Sequence, residues 1–187
     1  MYNLHMDKTI TFITGNVGKA EQLSKYLGID VSHTKIDLIE IQSLDLVEIV
    51  SAKAKEAYSQ VGSAVIVDDV SLSINSIGRL PGPFIKFFIQ ELGNSGICKL
   101  VSNYKDKSAK AEVCIGYFDG ENLEVFNGEI EGIIYDIPKG TNGFGWDEIF
   151  IPNGYNQTRS EMNESDYEAT NPRKIALDKF SEFLRRS

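Results

Sequence analysis

The sequence predicts an α/β fold, a central sheet flanked by helices. Three observations carry the α/β assignment: β-branched runs alternate with helical periods from Thr9 to Val67, two alternating segments flank Asp119-Gly120, and an amphipathic helix closes the chain.

Thr9–Thr14 (TITFIT) is β-branched and aromatic and ends at Gly15-Asn16. The next segment, VGKAEQLSKYLG, repeats Ala20, Leu23 and Leu27 at helical spacing before Gly28, so strand, tight turn and helix are expected. Lys35–Ile41 reads as a second short strand with Glu40 at its end. Leu46–Val61 carries Ile49, Val50, Lys53, Ala54 and Ala57 on a helical period. Ala64–Val67 is wholly apolar, the pattern of a strand buried on both faces, and it ends in Asp68-Asp69. The order to this point is βαβαβ.

Beyond the loop Gly78–Pro83 (GRLPGP), Phe84–Leu92 and Ser95–Tyr104 read as helices. Lys110–Phe118 and Asn122–Glu131 form a hairpin around Asp119-Gly120. A glycine-rich passage, Gly140–Trp146, leads into a short strand at Ile149–Ile151. The last helix starts at Pro172 with Asn171 as its cap, and turns Ile175, Ala176, Phe180, Phe183 and Leu184 inward.

The 187 residues contain no repeat or linker, so a single domain over 1–187 is expected. Nineteen Lys and Arg against 27 Asp and Glu leave a net charge of −8, which argues against a partner that is a nucleic-acid polymer. An anionic small molecule stays open, because local lysines or a metal ion override the global sign. The two histidines, His5 and His33, disfavour a His-ligated zinc and a Ser-His-Asp triad, so acid-base chemistry falls to carboxylates. Cys98 and Cys114 lie far apart in apolar surroundings, as in a reduced cytoplasmic protein. No apolar run approaches the ~20 residues of a membrane span, and no signal-peptide centre is present, so no membrane partner is expected.

Three places carry candidate chemistry. Thr14-Gly15-Asn16-Val17-Gly18-Lys19 turns a buried strand into a helix, where free N–H groups and a lysine can cradle phosphate. It is neither a P-loop nor a dinucleotide fingerprint, since the glycine spacing is wrong for both, and by itself it also serves as a plain turn. Asp68-Asp69 offers two carboxylates at a strand end, of which alternation sends one to each face. With Glu40 from another strand it suits magnesium, although each is alone an ordinary solvated acid. Gly143-Phe144-Gly145-Trp146-Asp147 lets a flat ring approach the backbone while Asp accepts hydrogen bonds from a heterocycle or ribose; a loop tucking its aromatics inward is the plain alternative.

Taken together and in this order, TGNVGK, DDVSL, GRLPGPFIKFF, GFGWDEIFIPNGYNQTRSEM and PRKIALDKF resemble the Ham1/inosine triphosphate pyrophosphatase family from Thr14 to about Phe180. The resemblance implies a long mixed sheet with two lobes around a cleft, usually in a homodimer. It also implies Mg²⁺-dependent hydrolysis of noncanonical purine nucleoside triphosphates to monophosphate and pyrophosphate. Thr14, Gly15, Asn16, Val17, Gly18 and Lys19 then look like the triphosphate loop, and Glu40 like a metal ligand. Asp69 looks like a metal ligand and general base, and Val70, Lys53 and Lys86 look like substrate-binding residues. Phe144, Gly145, Trp146 and Asp147 look like the base and ribose clamp.

Two departures mark this chain. Asn171-Pro172-Arg173 stands where the family typically has Ser-His-Arg, so the helix cap survives but the imidazole that helps read the 6-oxo edge is gone, leaving Arg173 as a donor fork toward O6. Tyr167 stands where a lysine contributes to nucleotide recognition. The phosphate and metal machinery is therefore expected intact and base selectivity altered. A non-catalytic nucleotide sensor on the same fold is the alternative.

Overall fold

The computed structural model describes residues 10–15 and 17–186. β1 (Ile10–Ile13) lies in parallel between β2 (Val31–Thr34) and β3 (Val65–Ile74), and α1 (Val17–Leu27) makes the first crossover. The second strand thus precedes the expected Lys35–Ile41. Ile10 pairs with Val31 and Ile13 with Thr34, after which β1 gives way to the turn into α1. Lys35–Ile41 consequently has no parallel neighbour. Its Ile39 N–H binds the Glu56 carboxylate at 3.0 and 3.2 Å, and Leu38 packs against the helix that carries Glu56. That segment is a loop laid on a helix rather than a strand.

That helix, α2 (Leu46–Val61), has the expected bounds. Asp45 caps it by accepting from Val47 N–H at 2.8 Å, and Gly62 leaves it with φ 72°.

β3 runs ten residues, well past the expected Val67. It pairs with β5 (Ser108–Phe118) along its whole length, from Val65 opposite Phe118 to Ile74 opposite Ala109. On its other side β1 reaches only Val65 and Ile66, and β4 (Pro81–Gly82) only Leu72 and Ser73. Between those partners, β3 has no paired strand at residues 68–71 on that side among the described residues. The carboxylates therefore still mark the end of the parallel pairing, although not the end of the strand.

β5 and β6 (Leu123–Ile134) form the expected hairpin, its turn closed by Asp119 Oδ1 accepting from Glu121 and Asn122 N–H. β7 (Phe150–Pro152) completes the order β2-β1-β3-β5-β6-β7. α3 (Ile85–Val101) spans the two expected helices, separated by Gly93 at φ 64°, ψ 172°, and ends three residues short of the expected Tyr104. α4 (Glu164–Ala169) was not legible; α5 (Pro172–Arg186) was, with Asn171 Oδ1 accepting from Arg173 N–H at 3.0 Å.

Helices cover both faces of the sheet, as expected of the fold class. α1 and α5 pack on one face over Phe12, Ile66, Ile115 and Phe126, and α2 packs on the other over Val65, Val67 and Cys114. A third core, with Leu72, Ile85, Ile97, Ile134, Trp146 and Phe150, gathers α3 and the 146–150 segment at the far end of β3. The close seat of α5 depends on Gly128 of β6, where a Cβ would lie 2.0 Å from the Pro172 carbonyl oxygen. Any side chain there would push the helix out.

Candidate active site

Alternation along β3 sends Asp68 and Asp69 to opposite faces, as expected. On the α2 face, Lys53 Nζ lies 3.1 Å from Asp69 Oδ2 and 2.8 Å from Glu40 Oε1. Asp69 Oδ1 accepts the Val70 N–H at 2.8 Å. Glu40 comes from the loop that Glu56 pins at Ile39, one residue away, and it is exposed. On the other face, Asp68 Oδ2 lies 2.5 Å from Arg173 Nη1 at the start of α5.

The electrostatics of this cluster are coupled. Burial pushes the Asp69 carboxyl up from the ordinary carboxylate range, although Lys53 and the Val70 N–H pull the other way. Burial disfavours the Lys53 ammonium, but Asp69 and Glu40 outweigh it and hold its pKa above the usual lysine value. One cation between two anions leaves the trio net negative, so it still attracts cations. Among the described residues no group of three or more His, Cys, Asp and Glu converges as a metal cage. Two carboxylates suit an ion that draws its remaining ligands from water and phosphate oxygens, as Mg²⁺ does.

The turn from β1 into α1 lies at the end of the neighbouring strand. Thr14 N–H donates to Thr34 O at 2.9 Å, and Gly15 lies beneath the Lys35 side chain, where a Cβ would approach its Cδ to 3.1 Å. Lys35 is thus a cation beside this turn that the sequence reading did not single out. Val17 is exposed at the first position of α1. Asn16 lies outside the described residues, and so does the side chain of Lys19, while Gly18 falls in the first turn of α1. Lys86 is exposed in the first turn of α3.

The 143–147 loop divides its aromatics. Phe144 is 69% exposed, whereas Trp146 is buried in the core with Leu72 and Ile149, against which Val70 also packs. Asp147 is 5% exposed and its carboxylate is occupied within the protein. Oδ1 accepts from Arg159 Nε at 2.8 Å, and Oδ2 accepts from Phe144 N–H at 3.0 Å and Tyr167 Oη at 2.8 Å. Gly143 (φ 76°) allows this closure, since a Cβ there would sit 2.3 Å from Asp147 Oδ2.

Arg159, 4% exposed, is the centre of this network. Its Nη1 donates to Thr170 Oγ1 at 2.6 Å, to the Tyr167 carbonyl at 3.2 Å and to the Thr170 carbonyl, and the guanidinium stands 4.1 Å from the centre of the Tyr167 ring. From α3, Asn94 Nδ2 holds the Gly145 carbonyl at 2.9 Å and Glu148 Oε2 at 3.0 Å. Sequence reading missed both Arg159 and Asn94. Thr158-Arg159-Ser160-Glu161 did carry a legible signal, the capping box that the structure forms, but that pattern speaks for a turn and not for the buried arginine inside it.

Two bridges tie the α4–α5 corner to the rest of the site: Tyr167 to Asp147 in the loop, and Arg173 to Asp68 in β3. The structure thus joins two groups through β3, Glu40-Lys53-Asp69 on one face and the 144–147 loop with Tyr167 and Arg173 on the other. A cavity of about 540 Å³, lined by Asp45, Ser73, Arg79, Lys110 and Glu112 among others, includes none of these residues.

Comparison with known proteins agrees with this architecture. The Ham1 family matches residues 10–183. An inosine triphosphate pyrophosphatase of Yarrowia lipolytica is 38% identical over 181 residues, covering 94% of this chain and 95% of that protein. Inosine triphosphate pyrophosphatase 2 of Trypanosoma cruzi is 36% identical over 172 residues, covering 90% and 88%. A HAM1 protein structure from Coxiella burnetii superposes with a TM-score of 0.86 at 23% identity, covering 96% of this chain and 99% of that one. The Ham1 protein of Staphylococcus aureus gives a TM-score of 0.82 at 22% identity, covering 95% and 98%. With a family match over nearly its whole length and these relatives, the chain belongs to the Ham1 family.

Proposed function

We infer that this chain is a nucleoside-triphosphate pyrophosphatase that cleaves noncanonical purine triphosphates, ribo or deoxy, into monophosphate and pyrophosphate. The observation that carries the reading is the Glu40-Lys53-Asp69 cluster beside the β1–α1 turn, in a chain whose relatives are named inosine triphosphate pyrophosphatases. The cofactor in this reading is Mg²⁺, held by Glu40 and Asp69. When bound, it supplies charge neutralisation at the phosphate oxygens and polarises water.

The protein's own groups supply the rest. Attack at phosphorus spreads negative charge over oxygens, so positioning and electrostatic neutralisation dominate the chemistry. The N–H groups of the turn at Thr14–Lys19, with Lys19, Lys53 and Lys86, meet the phosphates. Asp69 takes the proton of the attacking water at its carboxylate. Phe144 provides an exposed ring for the base, and Arg173 offers its remaining donors after pairing with Asp68. Altered base selectivity follows from Tyr167 and Pro172. The reading places the protein in the cytoplasm as a homodimer of single-domain chains, in keeping with two buried free thiols.

Measuring pyrophosphate release from inosine triphosphate with Mg²⁺, by wild type and Asp69→Asn, tests the proposal. Release by wild type, cut at least ~100-fold by the substitution, is expected. Tight nucleotide binding with no release by wild type would instead mark a sensor.

A further inference from the structure

We propose that Asn94 is a positioning residue: by holding the Gly145 carbonyl it fixes the exposed Phe144 ring for stacking against a nucleotide base, and so contributes to base affinity through Phe144. The inference rests on the nucleotide reading above and names the group that sets its base contact. Phe144 lies between Gly143 at φ 76° and Gly145 at φ 66°. Glycines give the backbone conformations closed to other residues, so nothing local fixes the direction of a ring that is 69% exposed. Hydrogen bonds to three successive peptide groups do so instead. The Phe144 N–H donates to Asp147 Oδ2 at 3.0 Å, the Phe144 carbonyl accepts from the Asp147 N–H at 3.3 Å, and the Gly145 carbonyl accepts from Asn94 Nδ2 at 2.9 Å. The first two stay within the loop, whereas the third ties it to α3, the helix that carries Lys86.

The amide of Asn94 is committed to this tether. Its Nδ2 has two protons, which go to the Gly145 carbonyl and to Glu148 Oε2 at 3.0 Å. Two acceptors facing one atom fix the amide's orientation, because the opposite one would set its oxygen against a carbonyl and a carboxylate. That oxygen is then buried with no hydrogen-bond partner among the described residues. A buried oxygen without a donor destabilises by about as much as a hydrogen bond stabilises, so Asn94 adds little to folding. Its contribution falls on binding instead: a loop ordered before the ligand arrives does not have to be ordered by it.

The test is calorimetric binding, with Mg²⁺, of two ligands that share a phosphate chain: inosine α,β-methylene triphosphate, and the same methylene-bridged triphosphate without a nucleoside. Asn94→Leu is close to isosteric and removes both the tether and the unpartnered oxygen. It should weaken the inosine ligand about five- to tenfold, the scale of one hydrogen bond, while changing the free triphosphate less than about twofold. Its unfolding temperature should stay within about 4 °C of wild type. Asn94→Ala, which adds no bulk, should reproduce the split between the ligands. In a Phe144→Ala background neither substitution should weaken the inosine ligand further, because the ring to be positioned is gone. Equal weakening of both ligands, unchanged affinity for the inosine ligand, or a loss that persists at full size without Phe144 would overturn the inference. If wild type binds neither ligand, or binds both equally, the nucleotide reading itself fails; if it prefers the inosine ligand and the variants leave that preference intact, only the present inference does.

Discussion

Arg159→Met removes a buried cation while keeping most of the stem's volume, so its effect isolates charge and hydrogen bonding from packing. The arginine is 4% exposed and its partner Asp147 5%. The substitution strands the Asp147 carboxylate without its cation and leaves the Thr170 and Tyr167 carbonyls short of a donor. Breaking one side of such a buried pair costs about 3–5 kcal/mol, far more than the ~0–1 kcal/mol of an exposed pair. In a chain of this size each kcal/mol moves the melting temperature by roughly 2–4 °C, so a fall of about 6–20 °C is expected. Urea and thermal unfolding followed by circular dichroism at pH 7 measure both. Adding Asp147→Leu to Arg159→Met should restore part of the loss, because the stranded charge goes with it, although the Phe144 N–H and Tyr167 hydroxyl then lose their acceptor. A loss below about 1 kcal/mol for Arg159→Met would refute the reasoning, since it would mean the pair is solvated.

Three further outcomes are expected. Gly128→Ala puts a Cβ 2.0 Å from the Pro172 carbonyl oxygen and should cost at least ~1–3 kcal/mol in urea unfolding, because backbone of α5 and not a flexible side-chain end stands in the way. Glu40→Gln, at an exposed loop position, should leave stability within about 0.5 kcal/mol while raising the Mg²⁺ concentration for half-maximal pyrophosphate release by roughly tenfold or more. The thiols of Cys98 and Cys114 should resist alkylation at pH 8 until the protein unfolds, since burial raises their pKa values to about 11 and about 12. Because folding favours the neutral thiols, their contribution to stability is complete below the ordinary thiol value of 9.0 and is lost as pH climbs toward 11 and 12. Unfolding midpoints that stayed level through that alkaline range would contradict the assignment.

Much of the fold was legible because its signals are local. The α2 bounds, the Asp119-Gly120 hairpin and the Asn171 cap each depend on residues a few positions apart, and each agrees with the structure. Lys35–Ile41 misled because its apolar residues report that part of the segment is covered, not what covers it; a loop pressed on α2 and a strand in a sheet look alike. The length of β3 was hidden for the opposite reason. Its apolar run stops at Asp68, yet β5 carries the pairing on to Ile74, and a partner more than thirty residues away leaves no mark in the local pattern.

By itself the sequence determined the α/β class, the family resemblance, the expectation of carboxylate chemistry in a histidine-poor chain, and which acids and lysines were candidates. It also flagged Tyr167 as a departure. Only the tertiary structure decided how those charges pair: Lys53 between Glu40 and Asp69, Asp68 with Arg173, and Asp147 with Arg159 and Tyr167. Backbone geometry is set largely by near neighbours, whereas the partner of a buried charge is whichever opposite group the fold brings within hydrogen-bond distance. For Arg159 and Asp147, twelve positions apart and joined through a glycine-dependent loop, that distance exists only once the chain has closed.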